Sequence, residues 1–171
     1  GKSGHLPAYD HYHFPDYVAD MQAFIDHLEL TSLIIIGHSM GGSIATLLCG
    51  VGAIPCSRLI LIEGMGPAHE EPESSFNRYK LHLKQRRAPR IHRVMESIET
   101  AADRIQRLSP RLTISRALEF AKYITQSVEG GYIWRWDPRH RDKAPIGYDA
   151  KRYQKVFEKI ECPTDLISGK D

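Results

Sequence analysis

The sequence predicts an α/β fold, a parallel sheet flanked by helices and interrupted by a helical insertion. Three observations predict it. Leu33-Ile34-Ile35-Ile36 and Leu59-Ile60-Leu61-Ile62 are short apolar runs that alternate with segments of helical period. Gly37-His38-Ser39-Met40-Gly41-Gly42 joins the first run to an apolar, small-residue helix. From Gly64 to about Tyr148 strand signals nearly vanish, and they return at Thr164 to Ser168.

Phe14-Pro15-Asp16 opens the first helix, which runs to about Leu28, with Phe14, Val18, Met21, Phe24, Ile25 and Leu28 at helical spacing. Thr31 to Ile36 is the first strand, apolar on both faces as a strand covered by helices on both sides would be. The next helix reaches about Val51. After a turn at Pro55-Cys56-Ser57-Arg58, Leu59 to Ile62 is the second strand. Pro72 to Arg87 reads as a polar helix and Ile91 to Leu108 as one or two more, until Ser109-Pro110 breaks the run. Thr113 or Ser115 caps a helix to about Val128. Gly130 to Pro138 is an aromatic extended segment or hairpin arm, whose alternation puts Tyr132, Trp134 and Trp136 on one face. Tyr153 to Ile160 is a last helix and Thr164 to Ser168 a last strand. The organisation is a core at 1–65, a helical insertion at 66–148 and a return to the core at 149–171.

Composition excludes several classes. With 171 residues, 42% hydrophobic and 26% charged, the chain is globular and long enough for a core. A net charge of +2 is too small to argue for nucleic acid, and the basic stretch Lys80 to Arg93 reads as a solvated helix face. Cys49, Cys56 and Cys162 are an odd count without disulfide-like spacing. Two lie in or beside apolar segments, which fits small hydrophobes in a reducing, cytoplasmic setting. Neither a signal peptide nor an apolar run long enough for a bilayer is present, although Gly1 is not a start methionine. Oligomeric state leaves no mark in the sequence.

Strand, Gly-x-Ser-x-Gly, helix is the context of a nucleophile elbow. Chance yields the bare pattern in roughly one chain in twenty of this length, so its flanking elements carry the argument. In an elbow Ser39 occupies a sharp turn where a side chain at either flanking glycine, Gly37 or Gly41, would clash. The Met40 backbone N–H then faces a developing oxyanion. A serine hydroxyl needs a base, and the base an orienting carboxylate. Two other patterns are weak. Gly1-Lys2-Ser3 as a phosphate loop is broken by Gly4-His5-Leu6-Pro7, and Asp10-His11-x-His13 has no second cluster of ligands.

Taken together, Gly1-Lys2-Ser3, the helix after Phe14-Pro15-Asp16, the elbow, Leu59 to Gly64, the Gly130 to Pro138 segment and Cys162-Pro163-Thr164 leading to Gly169-Lys170-Asp171 resemble the α/β-hydrolase fold family, in its lidded serine-hydrolase-like group. The resemblance covers essentially the whole chain. It implies a partial α/β-hydrolase sheet with a helical lid, and Ser39 as nucleophile in cleavage of a small ester, thioester or related carbonyl substrate. No cofactor and no metal are implied. Asp171 is the candidate acid by its place after the last strand. Its spacing from Gly169 is one residue short of the usual, so Glu63 or the residue after Asp171 are alternatives; Asp165, inside the strand, is discounted. The base histidine would follow Asp171 and a second oxyanion donor would precede Gly1, so this span alone is expected to be inactive. Tyr132, Trp134 and Trp136 would either pack the insertion or line an apolar pocket. A non-catalytic binding protein and a C–C bond hydrolase on the same fold are the alternative functions.

Overall fold

The computed structural model describes residues 2–7, 10–64, 66 and 74–169. In chain order the elements are α1 (Phe14–His27), β1 (Leu33–His38), α2 (Met40–Gly50), β2 (Cys56–Ile62), α3 (Ser75–Arg87), α4 (Ile98–Leu108), α5 (Ile114–Ile124), β3 (Thr125–Val128), β4 (Gly131–Trp134), a 3-10 turn (Pro138–Arg141), α6 (Ala150–Phe157) and β5 (Thr164–Ile167). They form two compact units, residues 12–82 with 143–171 and residues 1–11 with 83–142.

These bounds differ from 1–65, 66–148 and 149–171: residues 66–82 and 143–148 group with the sheet, and residues 1–11 group with 83–142. Arg139 explains the second grouping. Its guanidinium donates to the carbonyls of Leu6 (2.5 Å), Pro7 (2.6 Å) and Asp10 (3.0 Å), while a His5 ring nitrogen donates to the Arg135 carbonyl at 2.8 Å. Asp137, 3% exposed, holds the same guanidinium at 2.6 Å.

The sheet unit carries three parallel strands in the order β1-β2-β5. Ile35 pairs with Leu59 and Leu59 with Thr164; Ile62 pairs with Ile167. Ile25 of α1, Ile44 and Leu48 of α2, and Leu59 and Leu61 of β2 form the buried core, with Leu33 and Ile35 packed on it. Pro15 opens α1, and the Asp16 carboxylate accepts from the His13 N–H, satisfying a donor at the helix start. Strand β1 runs two residues past Ile36, to His38. Its two apolar faces fare differently from the expectation of cover on both sides: α1 and α2 supply the residues that bury one face, while Ile34 and Ile36 on the other remain 65% exposed.

The second unit is an α-hairpin with a β-hairpin. Ala101 and Ala102 of α4 meet Ala117 and Ala121 of α5, all fully buried, and such small residues let two helices approach closely. Ser97 and Thr113 cap α4 and α5 through their hydroxyls. The helix expected from Ile91 begins only at Ile98, because Met95 is extended and exchanges two 2.8 Å backbone bonds with Tyr132. The helix expected to reach Val128 stops at Ile124. Thr125, buried, bonds back to the Ala121 carbonyl at 2.6 Å and starts β3, which pairs antiparallel with β4.

Leu59 is fully buried at the centre of the sheet. Leu59→Ala will lower stability by about 2–5 kcal/mol, read as a shift of the urea midpoint at unchanged slope.

Candidate active site

Ser39 lies between β1 and α2 with φ 51° and ψ −122°, a left-handed backbone that costs a non-glycine residue on the order of 1–3 kcal/mol. Hydrogen bonds hold it there. The Ser39 N–H donates to the Ile62 carbonyl of β2 at 2.9 Å, and the Ser39 carbonyl accepts from Gly42 at 3.0 Å and Ser43 at 3.3 Å. The serine is exposed at the head of α2. The Met40 N–H, first in the helix, donates to no acceptor among the described residues. His38 is exposed beside it.

The glycines on the two sides of Ser39 differ in the room around them. A Cβ at Gly37 would stand 2.5 Å from the Gly42 Cα, so that glycine is required. At Gly41, expected to be its counterpart, a Cβ would meet nothing within 4 Å among the described residues. The tight position is the next one: a Cβ on Gly42 would lie 2.6 Å from the Gly64 carbonyl oxygen, and one on Gly64 would lie 2.8 Å from the Gly42 Cα and 2.9 Å from the Ser39 carbonyl oxygen. The helix turns outward at Gly41 and presents Gly42 to the backbone that follows β2.

Glu63 precedes that contact. It too has a left-handed backbone, φ 50°, its N–H donates to the Ile167 carbonyl at 3.0 Å, and its carboxylate accepts a short hydrogen bond from the Gly169 N–H. Glu63 therefore fastens the chain that leaves β5. Asp171 lies outside the described residues. Asp165, discounted from its place in the strand, pairs with Arg58 at 2.7 Å, and this contact holds its carboxyl below the usual aspartate range.

In the other unit Tyr132 and Trp134 pack on the buried cluster of Met95 and the four alanines. Trp136 meets the His92 ring edge-on at 4.5 Å and carries the Arg141 guanidinium over its face, also at 4.5 Å. A shallow groove of about 250 Å³ runs there, with Arg90, Arg93 and Arg104 on its walls. The residues of Asp10-His11-x-His13 form no ligand cluster among the described residues; the single cluster of that kind is made by cysteines.

Residues 1–107 match the family model described as alpha/beta hydrolase fold, and the chain belongs to that family. A serine hydrolase-like protein of Danio rerio is 24% identical over the whole chain, which spans about half (54%) of that relative's length. The crystal structure of a hypothetical protein of Pseudomonas aeruginosa PAO1 superposes with a TM-score of 0.85 at 27% identity, covering 97% of this chain and 60% of that one. The thioesterase domain from the curacin biosynthetic pathway superposes with a TM-score of 0.82 at 30% identity, covering 97% and 58%. No helix among the described residues is long and apolar enough to cross a membrane.

The glycine geometry separates two neighbouring substitutions. Gly41→Ala will leave stability within about 1 kcal/mol, whereas Gly42→Ala will cost about 3 kcal/mol or more by forcing α2 away from Gly64. Thermal unfolding of the two variants side by side reads the difference.

Proposed function

We propose that the intact protein hydrolyses a small ester or thioester through an acyl-enzyme on Ser39. The observation that carries this reading is the strained, hydrogen-bonded backbone of an exposed serine at the head of a helix. Strain at one polar residue, held by contacts to a neighbouring strand, is a pattern expected of a functional turn. The similarity to a thioesterase domain supports the acyl-transfer class.

In this mechanism the Ser39 Oγ attacks the substrate carbonyl carbon while a base takes its proton. The electron pair of the C=O moves onto oxygen, and the Met40 N–H donates to that oxyanion. Collapse expels the alcohol or thiol, which takes the proton back from the base. Water then repeats the sequence on the acyl-serine and frees the acid. The base is a histidine carboxy-terminal to Asp171, in the Ser-acid-His order of this fold. Asp171 orients it. Glu63 supports this division of labour, since its carboxylate is already occupied by the Gly169 N–H. It acts as a positioning residue that sets the exit of β5.

Two measurements test this. A fluorophosphonate probe will label the intact protein, and Ser39→Ala will abolish labelling and lower kcat on the order of 10⁴-fold or more. A folded intact protein that takes no label would instead be a binding protein on a hydrolase fold. Among the acids, Asp171→Asn will lower kcat about 10³–10⁴-fold, as loss of an orienting carboxylate does, while Glu63→Gln, which keeps an acceptor oxygen, will stay within about tenfold. The opposite ranking would make Glu63 the acid.

A further inference from the structure

All three cysteines of the chain meet at one place. Cys49 is in the last turn of α2, Cys56 is the first residue of β2, and Cys162 stands two residues before β5. Their sulfurs lie within 4.8 Å of one another, with Cys56 and Cys162 3.8 Å apart. Cys49 is buried and the other two are half-buried, and the sulfurs face a cleft of about 370 Å³ that Lys159 and Glu161 also line. Sequence spacing hides this group, because the parallel β2-β5 pairing brings residues 56 and 162 side by side.

We propose that Cys49, Cys56 and Cys162 form a site for a zinc-class thiophilic cation, at the end of the sheet opposite Ser39. Three sulfurs each about 2.3 Å from one tetrahedral ion lie about 3.8 Å apart, which is the Cys56–Cys162 separation. Thiols and imidazoles are the ligands such ions prefer, and three thiols leave a fourth position for a water or an added ligand from the cleft. Binding converts three thiols to thiolates, releases three protons to solvent and leaves a divalent ion with a net charge of −1 on the cluster. The Lys159 ammonium on the same cleft offsets that charge. The contact that competes is weak: the Cys56 thiol also donates to the Arg58 carbonyl at 3.2 Å.

The thiols themselves resist ionisation. Burial first, and then the neighbouring Cys56 sulfur, pushes the Cys49 and Cys162 thiols up. A cation relieves that repulsion, and because each thiolate replaces a proton, affinity must rise with pH. The site is independent of the reading of Ser39, and failure of either leaves the other standing.

The test is titration of the reduced intact protein with Co²⁺, followed by Zn²⁺. The expected result is a thiolate-to-cobalt charge-transfer band that saturates at one equivalent, strengthens from pH 6 to pH 8 and is bleached by one equivalent of Zn²⁺. Cys56→Ser and Cys162→Ser, both at half-exposed positions, will each weaken Co²⁺ binding at least tenfold with unchanged circular dichroism and unchanged fluorophosphonate labelling. Absence of the band, or a band that survives in the Cys56→Ser, Cys162→Ser double variant, overturns the proposal. So does a reduced protein that binds no Co²⁺ yet forms a Cys56–Cys162 disulfide on mild oxidation, which would make the cluster a redox pair.

Discussion

Gly42 and Gly64 touch backbone to backbone, and the geometry of the serine turn depends on that contact. A Cβ on either residue would fall under 3 Å from the other's main chain. The close approach lets α2 start directly against the strand end, which puts the Ser39 N–H within reach of the Ile62 carbonyl. That hydrogen bond, together with the two that the Ser39 carbonyl accepts, opposes the relaxation of φ 51° to an ordinary value. The same crossing carries Glu63 to the end of β5, so one contact fixes the Ser39 turn and the exit of the neighbouring strand.

Much of the sheet unit was legible because it is local. A β-branched run, a Gly-rich turn and a small-residue helix sit next to one another in sequence, and α1, β1, α2 and β2 follow within two or three residues of their expected bounds. Which glycine makes the close contact was less legible. The Gly-x-Ser-x-Gly pattern names Gly41, but the steric demand falls on Gly42, which depends on where Gly64 lies after folding. Cover on both faces of β1 was likewise inferred from apolarity, and Ile34 and Ile36 show that an apolar residue need not be buried within this span.

The insertion was less legible because its elements are set by pairings across the sequence. Met95 is extended only because Tyr132, 37 positions on, supplies its partner carbonyl and N–H. The helical period through Ile124 continues into Thr125–Val128, where hairpin pairing with Gly131–Trp134 wins over local propensity. Of the three aromatics expected on one face, Tyr132 and Trp134 pack the core of their own unit, whereas Trp136, beyond the end of β4, meets His92 and Arg141 instead. The cysteines show the limit most clearly. Residues 49, 56 and 162 have no motif between them, and only the strand order β1-β2-β5 makes them neighbours.

Helix α2 is pinned at its other end as well. A Cβ on Gly50 would stand 2.4 Å from the Val156 carbonyl oxygen of α6. Gly42 and Gly50 are eight residues, about 12 Å, apart along the helix axis, and both contacts are made by main chain. The helix therefore has no register in which it could slide or roll without a main-chain clash. Adaptive change must come from parts of the protein whose side chains, and not main chain, set the spacing. Directed libraries aimed at new selectivity should leave this helix untouched and spend their diversity elsewhere.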